Sequence, residues 1–332
     1  MTAHALTLAM TAKLIVRVSV VIPTFNRQHL LGAAIDSALA QAGVAVDVVV
    51  VDDGSTDGTV DWLQQAYAGQ PVQVLRNTGG KGPAGGRNTG LRAARGDLVA
   101  LLDSDDRFLP GHLAQAAQAF ARWPALGLVF GRARYLCDGQ SVDYMGPNFT
   151  RKLGLAPKAT EDDDVALMGP GFFEHLLQQG CWFNLSSVVL SRAAAAQPMQ
   201  EDLRVAEDYE YWVRLSRRFS FACLKQEQIE YTLGDDNISF EADQRVEGHA
   251  PQMLRAYGCM RAYTSLTNHQ IRLINRRIAE ELFDWGYRAS QRGHTAQAMG
   301  LHVQSLTYGL RTRNIAALLK TALWAGRRRG GT

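Results

Sequence analysis

Cysteine is scarce in this sequence, and its spacing does not suit a metal site. The four cysteines of the 332 residues stand roughly forty residues apart, at Cys137, Cys181, Cys223 and Cys259. No Cys-x-x-Cys pair occurs, which argues against a zinc ribbon. We therefore expect free thiols in a reducing cytosol.

Long apolar runs are also missing. No uninterrupted apolar stretch reaches the ~18 residues that a membrane-spanning helix needs. The opening stretch, MTAHALTLAMTAKLIVRVSVVIP, lacks a basic leading segment and a convincing cleavage site, so we predict no signal peptide. With 46% hydrophobic and 20% charged residues, the chain can bury a proper core.

Charge is unevenly distributed along the chain. The net charge of the whole chain is +3, which argues against a dedicated nucleic-acid-binding protein. Residues 301–332, however, hold six Arg or Lys and no Asp or Glu. Apolar residues at helical spacing there precede three arginines: Ile315, Leu318, Leu319, Ala322, Leu323 and Arg327–Arg329. Such a tail could lie on an anionic membrane surface, and a core-facing helix with a solvated basic end is the equal alternative.

Strand-like and helix-like segments alternate through the first 125 residues. β-branched runs such as VSVVIP and VDVVVVDD are each followed by a segment with helical periodicity. This alternation predicts an α/β fold with a mostly parallel sheet and helices on both faces. Later strands are predicted at LGLVFGRARYLC, CWFNLSSVVLS and FACLKQEQIEYTL, the first two separated by about forty irregular residues. From about residue 248 onward the pattern is helical.

These patterns divide the chain into three parts. We predict an N-terminal tail over 1–13, one α/β domain over 14–240 and a C-terminal helical region over 241–332. Within the domain, residues of about 14–125 and about 126–240 form two halves.

Two acidic turns follow predicted strands. Asp52 and Asp53 end the second strand, and the stretch LVALLDSDD ends in Asp103, Ser104, Asp105 and Asp106. Ligands bind at the carboxyl ends of strands in open parallel sheets, so both turns should lie on one rim. Crowded carboxylates repel one another, which predicts a positive partner.

The two acidic turns point to different chemistry. The pair Asp103-x-Asp105 suits Mg²⁺ or Mn²⁺, which keep water ligands and take others from substrate phosphates. Asp53 could instead cap its own GSTDGT turn, because aspartate commonly bonds turn backbone.

A glycine-rich turn offers an alternative function. Gly80-x-Gly82-x-x-Gly85 follows a strand, opens a helix and has an acid about twenty residues on, as in dinucleotide-binding proteins. It lies on the third predicted strand, however, and Pro83 removes a backbone N–H that a pyrophosphate would use. A dinucleotide-binding motif also needs one acid for the ribose, whereas this sequence has a cluster of three at that position. An NAD(P)-dependent oxidoreductase therefore stays as the runner-up enzyme.

Two further pairs could contribute to a site. Arg87 and Asn88 begin a helix directly after the glycine-rich turn, where helix N–H groups favour anions. In Glu207–Asp208, the second acid shares a largely apolar helix face with Tyr211, Trp212 and Leu215. A pair of charges at a helix N-terminus would explain it, and so would a general base whose pKa is tuned by partial burial.

These pieces, in this order, resemble family 2 of the inverting nucleotide-sugar glycosyltransferases, which have the GT-A fold. The resemblance spans residues 18 to about 240 and is carried by four segments: VSVVIPTFNR, VVVVDDGSTDGT, NTGGKGPAGGRNTGLRAARGDLVALLDSDD and EDYEYWVRL. The first three, with these spacings, are highly specific.

The resemblance implies that the half over about 14–125 binds the nucleotide-sugar and that the half over about 126–240 binds the acceptor. It also implies a set of nucleotide-binding residues. Pro23 and Thr24 correspond to the loop that edges the nucleotide. Asp53, with Asp52 beside it, corresponds to the aspartate that bonds the base, usually uracil. The remaining positions assigned to the nucleotide are Arg87, Asn88 and Ser104, the first two closing over it and supporting the acidic loop.

The resemblance also implies a metal and a base. Asp103 and Asp105 match the metal-binding DxD motif, which holds Mn²⁺ or Mg²⁺ against the diphosphate. Asp208 matches the catalytic base. Asp235 and Asp236 stand near where the family often has a histidine, so no third metal ligand is carried over.

The implied function is transfer of a sugar from a nucleotide-diphosphate sugar, a UDP-sugar first, to a hydroxyl of a glycan or lipid-linked acceptor. We expect a role in cell-surface polysaccharide biosynthesis, in the cytoplasm or peripherally at the inner face of the cell membrane, with no nucleic-acid partner. A non-catalytic sugar-nucleotide-binding protein with this fold is the remaining alternative. The retained Asp208 argues against it.

Overall fold

The computed structural model describes residues 15–137, 139–233 and 246–309, together with residues 315, 316 and 318. The predicted domain limits at 13/14 and 240/241, Asp235 and Asp236, and most of the basic tail lie outside the described residues.

The first half alternates strands and helices, as the sequence predicts. Its elements are β1 (Arg17–Thr24), α1 (Gln28–Leu39), β2 (Ala45–Asp52), α2 (Thr59–Ala66), β3 (Val72–Arg76), α3 (Pro83–Ala93), β4 (Leu98–Leu101), β5 (Arg107–Phe108) and α4 (His112–Arg122). Strands β3, β2, β1 and β4 pair in parallel in that spatial order. Strands covered on both faces are rich in apolar residues throughout, which is why their sequences read as continuous Val and Leu runs.

The second half extends the same sheet. Its elements are β6 (Leu126–Cys137), β7 (Gln140–Val142), α5 (Gly146–Leu155), β8 (Lys158–Glu161), β9 (Val165–Met168), α6 (Phe172–Gln179), β10 (Val189–Ser191), α7 (Arg192–Ala195), α8 (Glu207–Leu215) and β11 (Ser220–Leu233). After β4 the spatial order is β10, β6, β11, β9 and β8. Only β6 and β11 pair in parallel here, while β10 and β9 run antiparallel to their neighbours. The sheet is therefore parallel in the first half and mixed in the second.

The structure corrects two sequence predictions in this half. The forty residues expected to be irregular contain two helices and three short strands. The stretch predicted as a strand at CWFNLSSVVLS forms a strand only over Val189–Ser191. A 3₁₀ turn at Leu185–Ser187 precedes it, because the Asn184 side chain accepts a bond from the Ser186 N–H at 2.7 Å and offers the backbone an alternative to the ladder.

Two hydrophobic clusters cover the two faces of the sheet. Alternation along β1 sends Val18, Val20 and Ile22 into one cluster and Val21 into the other. Three C-terminal helices, α9 (Val246–Arg261), α10 (Asn268–Gln291) and α11 (Thr295–Tyr308), pack against the second cluster. Among the helices described, none has the length and apolar character to cross a membrane.

Candidate active site

Both predicted acidic turns lie at the carboxyl ends of the parallel strands. Strand β1 lies between β2 and β4, with Thr24 opposite Asp52 and Val21 opposite Leu101. Chain order reverses around β1, since β2 follows it on one side and β4 on the other. Ligands of open α/β sheets bind in the crevice at such a point.

The acidic loop, residues 103–106, gives each of its three carboxylates a different partner. Asp103 accepts a bond from the Arg87 guanidinium at 2.6 Å. Asp105 forms an ion pair with Arg27, and the carboxylate of Asp106 accepts a bond from the Ser186 hydroxyl. The positive charge that the crowded aspartates predict is thus supplied by two arginines.

Two members of the acidic loop remain within reach of a ligand. The side chains of Asp103 and Asp105 are 30% and 19% exposed, whereas Asp106 is only 2% exposed. Burial and the charge of Asp103 raise the pKa of Asp105, although Arg27 opposes the shift. Burial and its two acidic neighbours raise the pKa of Asp106 well above the usual range. Burial and mutual repulsion therefore both favour the neutral form of these two carboxyl groups when no cation is bound.

The donor set fits a sparse divalent-metal site. Within the described part of the chain, no three His, Cys, Asp or Glu side chains are grouped so that they could hold a metal ion. Mg²⁺ is commonly bound by one or two carboxylates, with water and substrate phosphate completing its shell. Asp103 and Asp105, partly exposed and close enough to affect each other's charge, offer that number of carboxylates.

Arg87 connects the acidic loop to α8. Its guanidinium is buried and donates to Asp103 at 2.6 Å and to Glu207 at 2.9 Å. Burial alone would lower the pKa of Arg87, but these two carboxylates raise it overall. Burial and the neighbouring Asp208 raise the pKa of Glu207 to about 7. Sequence reasoning gave Glu207 no role of its own, although it stands first in the Glu-Asp doublet.

Asp208 lies in the first turn of α8, half-buried. The helix begins after Ala206, whose φ of 67° is in the left-handed region that L-residues rarely occupy. The Asp208 carboxylate accepts a bond from the Tyr209 N–H at 2.6 Å. Burial raises the pKa of Asp208, the charge of Asp103 adds to this, and Arg87 opposes it. The helix N-terminus thus holds a carboxylate within electrostatic range of the acidic loop.

The two aspartates after β2 have separate tasks. Asp52 is 4% exposed and accepts bonds from the Gly54 and Ser55 N–H groups at 3.0 and 3.1 Å, so it caps its own turn. Asp53 accepts from the Gly82 N–H at 2.9 Å and from the Asn77 amide at 2.6 Å. It also borders a cleft of about 330 Å³ lined by Asp53, Gly54, Arg76, Asn77, Gly79 and Lys81.

Asn88 points away from the acidic loop. Its amide donates to the Met199 carbonyl at 3.0 Å and to Glu201 at 2.8 Å, and its oxygen accepts from the Met199 N–H. Successive helix residues point about 100° apart, so Arg87 and Asn88 cannot both face the rim. These bonds fix the loop that leads to α8, and the nucleotide contact of Asn88 stays a prediction.

The other predicted nucleotide residues lie at the ends of β1 and β4. Pro23 packs under α3, where a Cβ at Gly86 would lie 3.2 Å from the proline Cβ. Thr24 is 4% exposed, and its hydroxyl has no bonding partner among the described residues. Ser104 is 6% exposed within the acidic loop.

The glycine-rich turn does not have the geometry of a dinucleotide site. The Gly80 N–H donates to Glu201 at 2.5 Å and the Gly82 N–H to Asp53 at 2.9 Å, so both donors are engaged. A Cβ at Gly85 would lie 1.7 Å from the Gly80 carbonyl oxygen, so this glycine serves the folding of the turn itself. The turn follows the edge strand β3, and two strands separate β3 from the strand before Asp103.

Comparison with known proteins agrees with this arrangement. Residues 19–169 match the sequence profile of Glycosyl transferase family 2. The matched segment is similar to that family and includes both acidic turns and Arg87. Over 224 residues it is 28% identical to the putative teichuronic acid biosynthesis glycosyltransferase TuaG of Bacillus subtilis (strain 168), covering 67% of this chain and 81% of that protein.

Two other similarities define what the comparison supports. Over 96 residues the chain is 45% identical to the succinoglycan biosynthesis protein ExoO of Rhizobium meliloti (strain 1021), covering 29% of this chain and 27% of that protein. The chain aligns with less than half the length of the first curated relatives it matches. A crystal structure of S. aureus TarS 1-349 in complex with UDP-GlcNAc has a TM-score of 0.61 at 16% identity, covering 95% of this chain and 92% of that one. The predicted GT-A fold with C-terminal helices is thereby confirmed.

Proposed function

We propose that this chain transfers a sugar from a nucleotide-diphosphate sugar, a UDP-sugar first, to a hydroxyl group of a glycan or lipid-linked acceptor. The observation that carries the proposal is the Arg87 guanidinium, which joins the acidic loop to the helix of Asp208. In an inverting transfer, the residues that bind the donor diphosphate and the residue that takes the proton of the attacking hydroxyl lie on opposite sides of the anomeric carbon. Because Arg87 bonds both the acidic loop and α8, it supports a role for both at one crevice.

The nucleotide would occupy the rim beside Asp53. The cleft there has a carboxylate acceptor for a base N–H and two cationic side chains, Arg76 and Lys81. UDP as the nucleotide is supported by the TarS structure, which shares the fold of this chain and was determined in complex with UDP-GlcNAc. In this arrangement Pro23, Thr24 and Ser104 border the nucleotide, while Asp52 and Asn88 hold its loops.

Asp103 and Asp105 would hold Mn²⁺ or Mg²⁺ together with the donor diphosphate. A divalent ion bound there would offset the negative charge that the leaving diphosphate gains. Arg87 and Arg27 hold the two carboxylates in place before any ligand arrives. The charge of Asp103 contributes to the raised pKa of Asp105, and a cation bound between the two would relieve this repulsion.

Asp208 would act as the general base. The acceptor hydroxyl must lose a proton as it attacks, and a carboxylate opposite the leaving group can take it. Burial raises the pKa of Asp208, which strengthens it as a proton acceptor when ionised. Attack from the side opposite the diphosphate inverts the anomeric carbon.

The proposed acceptor class rests on the names of the relatives, and the proposed membrane contact rests on the basic tail. TuaG and ExoO are named for polysaccharide biosynthesis, and we propose the same process here. The basic tail at 313–332 would hold the protein at an anionic membrane surface. Removing residues 313–332 should then reduce sedimentation with phosphatidylglycerol vesicles, and unchanged sedimentation would contradict the membrane contact.

A thermal-shift panel tests the donor class. UDP-, GDP- and dTDP-sugars and NAD(H) are each added with Mn²⁺ and with EDTA, because a ligand of the native state raises its melting temperature. We expect a rise with one nucleotide-sugar that EDTA removes. A rise with NAD(H) that is insensitive to EDTA would contradict the proposal and support the oxidoreductase. Binding of a nucleotide-sugar without turnover toward any acceptor or water would support the non-catalytic alternative.

A further inference from the structure

Three tyrosines form a continuous aromatic surface beside the acidic loop. The ring centroids of Tyr135 and Tyr144 are 5.5 Å apart, and those of Tyr135 and Tyr231 are 5.4 Å apart. Tyr135 and Tyr231 are paired across β6 and β11, so the sheet fixes their spacing. Tyr144 is 61% exposed, unusual for so large a ring. We call these three residues the tyrosine platform.

The platform lies close to the acidic loop. Strand β5 follows that loop directly, and its Arg107 is paired with Glu230, the neighbour of Tyr231 in β11. Burial raises the pKa of Tyr135 to about 12, and the charge of Asp106 adds to the shift. Burial likewise raises the pKa of Tyr231, with further contributions from all three aspartates of the loop. The two rings are therefore within electrostatic range of the residues proposed to hold the metal and diphosphate.

Phe183 connects the platform to α8. It lines a small cavity together with Tyr135, and its ring centroid lies 5.9 Å from that of Trp212 in α8. Packed aromatic side chains therefore join the platform to the helix that carries Asp208.

A small cavity behind the platform offers hydrogen-bond donors. Its lining includes Arg132, Tyr135, Phe149, Trp182 and Asn184. Trp182 is 4% exposed, and its indole N–H has no partner among the described residues, nor does the Nε of Arg132. The volume of about 10 Å³ holds roughly one water. A hydroxyl or a bridging water can therefore enter it, while a sugar ring has to lie outside on the tyrosine faces.

We propose that the tyrosine platform binds the terminal sugar ring of the acceptor, as a neutral pyranose lying against Tyr144. Aromatic rings offer large, rigid contact area for the apolar face of such a ring, and the cavity donors receive its hydroxyls. The inference rests on the proposed function and adds the acceptor class to it.

Saturation-transfer NMR with simple glycosides tests the platform. The probes are methyl β-D-glucopyranoside, methyl β-D-galactopyranoside and methyl N-acetyl-β-D-glucosaminide, each with the full chain, UDP and the diamagnetic ion Mg²⁺. The variants are Tyr144→Ala, Tyr144→Phe, which keeps the ring, and Tyr287→Ala, a control on α10 where the tyrosine is 51% exposed. Because Tyr144 is so exposed, its replacement should leave folding intact.

We expect at least one probe to bind the wild type, Tyr144→Phe and Tyr287→Ala alike. In Tyr144→Ala its dissociation constant should rise roughly three- to tenfold, the range for loss of one aromatic contact. Equal binding to Tyr144→Ala, or binding of none of the probes, would overturn the inference. A loss of UDP-sugar affinity in Tyr144→Ala with unchanged glycoside binding would also overturn it, since the platform would then serve the donor sugar.

UDP titration of the same samples separates this inference from the proposed function. If UDP binds every variant while the glycosides fail to bind, only the platform is wrong. If UDP binds none of them, including the wild type, the donor site itself is wrong.

Discussion

Arg87 donates to Asp103 at 2.6 Å from a position 16 residues earlier in the chain, and this bond fixes the acidic loop against α3. The same guanidinium donates to Glu207, 120 residues later. One buried cation therefore orients both the proposed metal loop and the helix that carries the proposed base.

Removing that cation should destabilise the protein. In Arg87→Ala the carboxylates of Asp103 and Glu207 lose their buried partner, and we expect a loss of about 3–5 kcal/mol in the free energy of unfolding. Urea unfolding at neutral pH measures it. The matched control is Arg92→Ala, an exposed arginine on the same helix, which should stay within about 0.5 kcal/mol of wild type. A small effect of Arg87→Ala would mean that the bridge is not formed.

Glu207 should make stability depend on pH. Burial and Asp208 raise its pKa from 4.5 to about 7, so between these values the folded chain binds more protons at Glu207 than the unfolded chain. The free energy of unfolding contributed by this group therefore falls as pH rises through that window. Glu207→Gln stays neutral and can still accept a bond from Arg87, so it should lack this part of the decline. Urea unfolding of both proteins from pH 4.5 to 7 tests this, and parallel pH curves would contradict it.

Asp105 should be required for metal-dependent nucleotide binding. Asp105→Asn removes one of two proposed ligands, and we expect UDP affinity in Mn²⁺ to fall by at least about tenfold, because even groups that only support a metal ligand cost about 10- to 100-fold. Calorimetric titration with Mn²⁺ and with EDTA measures it. Asp163→Asn, an exposed carboxylate between β8 and β9, is the control. Wild-type affinity of Asp105→Asn in Mn²⁺ would show that the metal is held elsewhere.

Sequence reasoning works well for the first half because each strand there is covered on both faces. Continuous Val and Leu runs ending in charged turns therefore predict both the parallel sheet and its rim. It works poorly for 138–180, where strands of three or four residues are too short to show an alternation. The many apolar residues in CWFNLSSVVLS suggest one continuous strand. The Asn184 side chain instead accepts a bond from the Ser186 N–H and keeps residues 185–187 in a turn before the strand.

Long-range partners of the site could not be predicted from local patterns. Glu201 accepts bonds from the Gly80 N–H and the Asn88 amide, more than a hundred residues away, and nothing in its neighbourhood indicates this. The repulsion among the aspartates predicts a positive partner. The ion pair of Arg27 with Asp105, however, is seen only in the folded chain. The direction of Asn88 follows from helix geometry once Arg87 is known to face the rim.

The central claim is that Asp208 removes the acceptor proton in a sugar transfer at this rim. Its test is the turnover of the donor identified in the thermal-shift panel by Asp208→Asn, with donor affinity measured on the same sample. The control is Asp202→Asn, an exposed carboxylate in the preceding loop that pairs with Arg255. We predict that Asp208→Asn keeps donor affinity and loses turnover by about 10²-fold or more, the contribution expected of a general base. Full turnover by Asp208→Asn, at unchanged donor affinity, would contradict the account.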